Sequence, residues 1–235
     1  MAFRVSGGTP GLQFLLRITS PTMPLGGFSY SGGLESAVEH GLVQNEDAAE
    51  RWIEDGLCGV VYVCEGPVWL LLYQAITKRD AAQAAQWNQW YWASRDTREM
   101  RQETQQMGWS LRQVAVNQSW GTADLQALRD QLIPETYLAM HAYASVAHGV
   151  QPRDGLLAFL YTWADNQTLA AMKTVPLGQS AGQRLLAKTG GWIEKAIAIA
   201  QESAAQQPPA VQTSTVQLSI LSSQHEHQYS RLFRS

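Results

Sequence analysis

Residues 26–33 read Gly-Gly-Phe-Ser-Tyr-Ser-Gly-Gly, four glycines around two aromatic side chains. Glycines packed this densely invite comparison with phosphate-cradling loops. A Walker loop needs Gly, four residues, then Gly-Lys-Ser/Thr, so that the lysine meets phosphate and the hydroxyl meets magnesium. Here Gly27 is followed five positions on by Gly32, then by Gly33 and Leu34, so both lysine and hydroxyl are missing. A dinucleotide fingerprint fails too, because no strand pattern precedes the glycines and no βαβ unit surrounds them. Glycine instead permits positive φ and close backbone approach. The expectation is a flexible loop that displays Phe28 and Tyr30 as a contact surface.

The other chemistry-bearing residues assemble into no catalytic set. His141 and His148 lie seven apart, whereas a zinc-protease helix needs histidines at i and i+4 with a glutamate. Core or surface roles are expected for both. His225-Glu226-His227 places two imidazoles two residues apart, a pair able to share nickel or zinc. Two ligands alone hold a metal weakly, so no metal site is assigned, and His225 and His227 stand only as weak candidates. Cys58 and Cys64 are six apart, forming neither a redox CxxC nor a zinc knuckle. They read as small buried hydrophobes in a reducing compartment. There is no Gly-x-Ser-x-Gly elbow, and the adjacent Glu54 and Asp55 face different ways on a helix. These residues imply neither an enzyme nor a cofactor.

The elements around these residues read as helices. Residues 12–18 begin one before Pro21, and a short helix through Leu34 and Glu35 runs into Gly41. Asn45 caps the next, Gly66-Pro67 starts another, and Asp80 caps a third whose Trp87, Trp90 and Tyr91 share a face. Met100, Thr104, Met107, Leu111 and Val114 recur every three or four residues after Asp96 or Thr97, with arginines and glutamines on the solvated side. Pro134-Glu135 and Pro152 begin two more helices; the second, apolar nearly all round, reads as the centre of a bundle. A last helix spans about 179–203. Beyond Pro208-Pro209 the pattern dissolves into a Ser/Thr/Gln-rich tail ending in His-Glu-His-Gln-Tyr-Ser-Arg-Leu-Phe-Arg-Ser. The expected fold is all-α: a single helical domain of about nine or ten helices over 1–205, with a mobile C-terminal tail over 206–235. Tyr229, Leu232 and Phe233, with Arg231 between them, suit a segment that orders on a partner.

Composition narrows the class further. The 235 residues are 45% hydrophobic and 16% charged, with a formal net charge of −3, which gives no field for nucleic acid. Nine tryptophans imply a thick core, a large partner surface, or both. No signal-peptide block follows Arg4, and the apolar run 57–76 is broken by Glu65, Gly66 and Pro67. It is read as two core helices rather than a membrane span, and the chain as cytoplasmic.

Three segments together resemble the urease accessory protein UreF family. Residues 20–41, Ser-Pro-Thr-Met-Pro-Leu-Gly-Gly-Phe-Ser-Tyr-Ser-Gly-Gly-Leu-Glu and on to Gly41, are similar to its first signature, Met-Lys-Thr-Val-Pro-Leu-Gly-Gln-Ser-Ala-Gly-Gln-Arg-Leu-Leu (172–186) to its second, and the tail from His225 to its terminal motif. The resemblance implies an all-α, dimeric, non-catalytic scaffold. Such a scaffold bridges a UreD/UreH-type accessory protein and a UreG-type GTPase, in a complex that delivers nickel to apo-urease. It further implies that Phe28 and Lys173 serve GTPase recruitment and that Arg231 orders when the UreD-type partner binds. Glu35 and Gln179, which lie within the first two motifs, join Tyr30, Tyr229, Leu232 and Phe233 in the expected partner-binding set. Ser180-Ala181 depart from a more usual polar-acidic pair. A direct nickel metallochaperone using the tail histidines is the alternative.

Overall fold

The computed structural model describes residues 9–213 and 215–235. It is 71% helical, and no strand occurs among the described residues, as the helical periodicity predicts. Helix α1 (Thr9–Ile18) leads into the glycine loop, which turns through a short 3-10 segment, Gly27–Ser29, into α2 (Leu34–Glu39). Asn45 caps α3 (Glu46–Gly56), its side chain accepting the Ala48 N–H at 2.9 Å. A π-helical stretch, Leu57–Glu65, joins α3 directly to α4 (Gly66–Thr77). Asp80 caps α5 (Ala81–Ala93) and Thr97 caps α6 (Arg98–Asn117). Then follow α7 (Ala123–Arg129), α8 (Tyr137–Ala147), α9 (Pro152–Thr174), α10 (Gln179–Ala205) and α11 (Val216–His225).

Helices α4 and α8 form the centre. Trp69, Leu72, Ala75 and Ile76 of α4, and Leu138, Met140 and Tyr143 of α8, are fully buried. Alanines at 139, 142 and 144 let neighbours approach α8 closely. Helix α9, which the sequence places at the centre, packs along α10 and also touches α1, α2, α3, α4 and α8, burying Leu156, Phe159 and Leu160 while Tyr161 is 40% exposed. Helix α8 begins at Tyr137 rather than at Pro134 because Thr136 is the better cap, its hydroxyl accepting the Ala139 N–H. His141 is buried in the core, where its Nδ1 accepts the Trp69 indole N–H at 3.2 Å and burial pushes the imidazole down to about 3. His148 stacks on Phe14. Helices α7 and α11 have no counterpart in the sequence pattern.

The run Glu46–Thr77 is long and apolar enough to cross a membrane by length and composition, yet 67% of its most apolar window is buried inside the fold. It is thus a core helix, continuous through the Glu65-Gly66-Pro67 interruption. Cys64 is buried, and burial pushes its thiol up to about 11, which suppresses the thiolate. Cys58, in the π stretch, is exposed, contrary to the expectation of two buried cysteines.

Candidate partner-binding site

The three sequence motifs, separated by up to two hundred residues, meet at one end of the bundle. The glycine loop supplies the floor. Gly26, Gly32 and Gly33 take φ values of +75°, +57° and +85°, a region L side chains rarely adopt. These turns bury Ser31, whose carbonyl accepts from the Gln167 side chain of α9 at 3.0 Å and whose N–H donates to the Ser235 carbonyl at 3.0 Å. The Ser31 hydroxyl also donates to the Ser235 carbonyl. Gln167 in turn accepts the Trp52 indole N–H at 3.0 Å. The loop is therefore tied to α3, α9 and the chain terminus.

Helix α11 lays the tail across this floor. Its Leu221 is buried, and the Ser222 hydroxyl meets the Thr97 hydroxyl at 2.7 Å, at the cap of α6. The last residues then run back over α2. Glu35, only 7% exposed, accepts the Leu232 N–H at 2.6 Å, the Phe233 N–H at 2.9 Å and, on the same oxygen as Phe233, faces His225 Nε2 at 3.0 Å. Glu99 of α6 faces His225 Nδ1 at 2.7 Å and accepts from Arg231 at 2.9 Å. Glu103, one turn further on, accepts from the Ser235 hydroxyl at 2.9 Å, and burial pushes its carboxyl up to about 7 against that hydrogen bond. The Arg234 N–H donates to the Ser29 carbonyl at 2.8 Å.

The expected site residues divide by exposure. Phe28 (60% exposed), Lys173, Gln179, Tyr229, Arg231 and Leu232 face solvent. Tyr30 does not: it is 6% exposed and lines an internal cavity, so the loop displays Phe28 alone. The chain leaves the 3-10 turn Gly27–Ser29 at Tyr30, which is extended (φ −121°, ψ 131°), so the two aromatics point different ways. Phe233 is likewise buried, at 6%, against its own chain. Lys173, in the last turn of α9, holds its Nζ 5.9 Å from the Phe28 ring centre and 5.3 Å from that of Phe233. One ammonium thus spans the loop motif and the tail motif. His225 is fully buried with each ring nitrogen facing a carboxylate, so no lone pair is left for a metal, while His227 is exposed. Among the described residues no group of three or more His, Cys, Asp or Glu side chains is placed to hold a metal.

Behind the floor lies a cavity of about 490 Å³, walled by Trp52, Trp163, Glu65, Arg95 and Glu103 and closed on one side by Leu218 of α11. Arg95 pairs with Glu65 at 3.1 Å, and Tyr91 donates to the same carboxylate at 3.0 Å while the guanidinium stacks 4.5 Å from its ring. Glu99, Glu103 and the Glu65–Arg95 pair were not legible as site residues. The one available signal was that Glu99 and Glu103 lie four apart, on one helical face.

Known proteins resemble this chain over most of its length. The family model of UreF matches residues 43–190. The chain is 45% identical to the urease accessory protein UreF of Cupriavidus metallidurans, over 96% of this chain and 98% of that protein. It is 46% identical to the UreF of Bordetella parapertussis, over 94% of this chain and 100% of that protein. It is also 46% identical to the bifunctional urease accessory protein UreEF of Bordetella bronchiseptica, over 95% of this chain and 52% of that protein.

Proposed function

The chain belongs to the UreF family of urease accessory proteins, which serve urease maturation and are not enzymes in their own right; from that premise we propose that it is a homodimeric cytoplasmic scaffold bridging a UreD/UreH-type protein and a UreG-type GTPase during nickel delivery to apo-urease. The observation that carries this reading is the meeting of all three motifs in one surface, with Tyr229 and Leu232 left in solvent beside Arg231. A tail whose backbone and Phe233 are held down while Tyr229 is fully exposed is built to present side chains outward. Tyr229, Arg231 and Leu232 form the face for the UreD/UreH-type partner, and Phe28, Lys173 and Gln179 the face for the GTPase. The fusion in the UreEF relative supports work alongside a further urease accessory factor. Direct nickel carriage by the tail histidines is disfavoured by the two carboxylates against His225.

Two experiments test this reading. Removing residues 226–235 is expected to abolish co-purification with the UreD/UreH-type protein while leaving the helical circular dichroism of the body intact; retained capture would exclude the tail as the docking element. Lys173→Ala removes the ammonium between two rings, a contact worth about 0.5 kcal/mol at this exposed site. It is expected to weaken GTPase capture roughly tenfold without moving the melting temperature by more than about 2 °C. Undiminished capture of the GTPase would remove Lys173 from that face.

A further inference from the structure

The His225 ring has a buried carboxylate on each side, Glu35 from α2 and Glu99 from α6. A neutral imidazole carries one N–H and one lone pair, so it can donate to only one of them. At the other contact, 2.7 or 3.0 Å long, lone pair would face lone pair. The geometry is satisfied only when the three groups share one additional proton, as an imidazolium between two carboxylates or its tautomeric equivalent. We propose that His225 is the positioning residue of the tail, and that it holds the partner-facing side chains in place only while this extra proton is bound. This deepens the scaffold reading above, although the clamp itself is made within one chain.

The surroundings fix the sign. Besides Glu35 and Glu99, the charged groups facing this point are Arg231, on the second oxygen of Glu99, and Glu226, whose carboxylate takes the Glu99 N–H at 3.3 Å. Glu103 lies one turn along α6, and Lys173 stands over Phe233 from α9. With the proton present, the two carboxylates are matched by the imidazolium and Arg231; without it, one negative charge is unmatched in a buried site. Docking therefore takes up a proton. It weakens as pH rises. Glu103 works in the same sense: burial, the larger cause, raises its carboxyl to about 7 against the Ser235 hydrogen bond, so it adds a smaller loss of docking as pH rises.

The test is amide hydrogen exchange at Leu232 and Phe233 in the full chain, whose N–H groups both donate to Glu35. Protection is expressed relative to a free peptide of residues 226–235 at the same pH. In the unaltered protein it is expected to fall at least tenfold between roughly pH 6.5 and 8.5. His225→Gln, which cannot titrate, is expected to keep only the smaller fall that Glu103 contributes. Glu99→Gln is expected to stay protected with the same smaller fall, since its amide can donate to Nδ1 of a neutral ring that donates to Glu35. Flat protection in the unaltered chain, or the unaltered chain's full fall in either variant, would overturn the proposal. Capture of the UreD/UreH-type protein is measured in parallel at pH 6.5. Capture indifferent to tail removal would overturn the scaffold reading and leave the clamp standing.

Discussion

Glu35→Ala is expected to free the last ten residues from the body of the protein. The carboxylate accepts two consecutive backbone N–H groups and faces the His225 ring, and hydrogen bonds to a charged acceptor contribute about 1.5–3 kcal/mol each. The released donors can reach water once the tail lifts, so the loss is bounded by the free energy of docking, on the order of 3 kcal/mol. Protection of Leu232, Phe233 and Arg234 should fall by about a hundredfold, to that of the free peptide. Partner capture should fall with it, while the body keeps its helical content. Glu35→Gln, which keeps an acceptor oxygen without the charge, should fall between. Unchanged amide protection in Glu35→Ala would show that burial of Phe233 holds the tail without the carboxylate.

The largest effect on folding is expected at Gly108, in the middle of α6. A Cβ there would lie 2.2 Å from the Glu135 carbonyl oxygen and 2.5 Å from the Thr136 carbonyl carbon. Both obstacles are backbone, so no side chain can swing aside. The same crossing carries the Tyr137 N–H to Thr104 hydroxyl hydrogen bond at 3.1 Å and the cap of α8. Forcing α6 off this point opens the core beside Met107 and Leu111. Gly108→Ala should therefore cost about 4 kcal/mol or more, a fall in melting temperature of roughly 8–16 °C. Gly190 in α10 is the control, because a Cβ there meets nothing within 4 Å. Gly190→Ala should stabilise by about 0.5–1 kcal/mol through helix propensity alone. Equal melting of Gly108→Ala and the unaltered chain would refute the close-packed crossing.

The sequence by itself determined the local architecture. Asn45, Asp80 and Thr97 each cap the helix they were expected to cap. Gly41 and Gly149 take positive φ just past their helices, and Pro152 opens α9. These features are legible because capping and helical periodicity act within about four residues. The three motifs that carry the family likeness are contiguous strings, so they too are legible. Which way the motif side chains face was decided by tertiary structure. Tyr30 and Phe28 are two residues apart, yet one lines a cavity and the other meets solvent, because the 3-10 turn Gly27–Ser29 ends between them and Tyr30 is extended. Glu99, to which the helical periodicity gives no role, is buried where His225 of α11 and Arg231 of the tail meet it. His225 meets its two carboxylates across 126 and 190 residues of sequence. No period or cap encodes a contact of that range; it exists because the packed bundle brings the ends of α2, α6 and α11 to the same place.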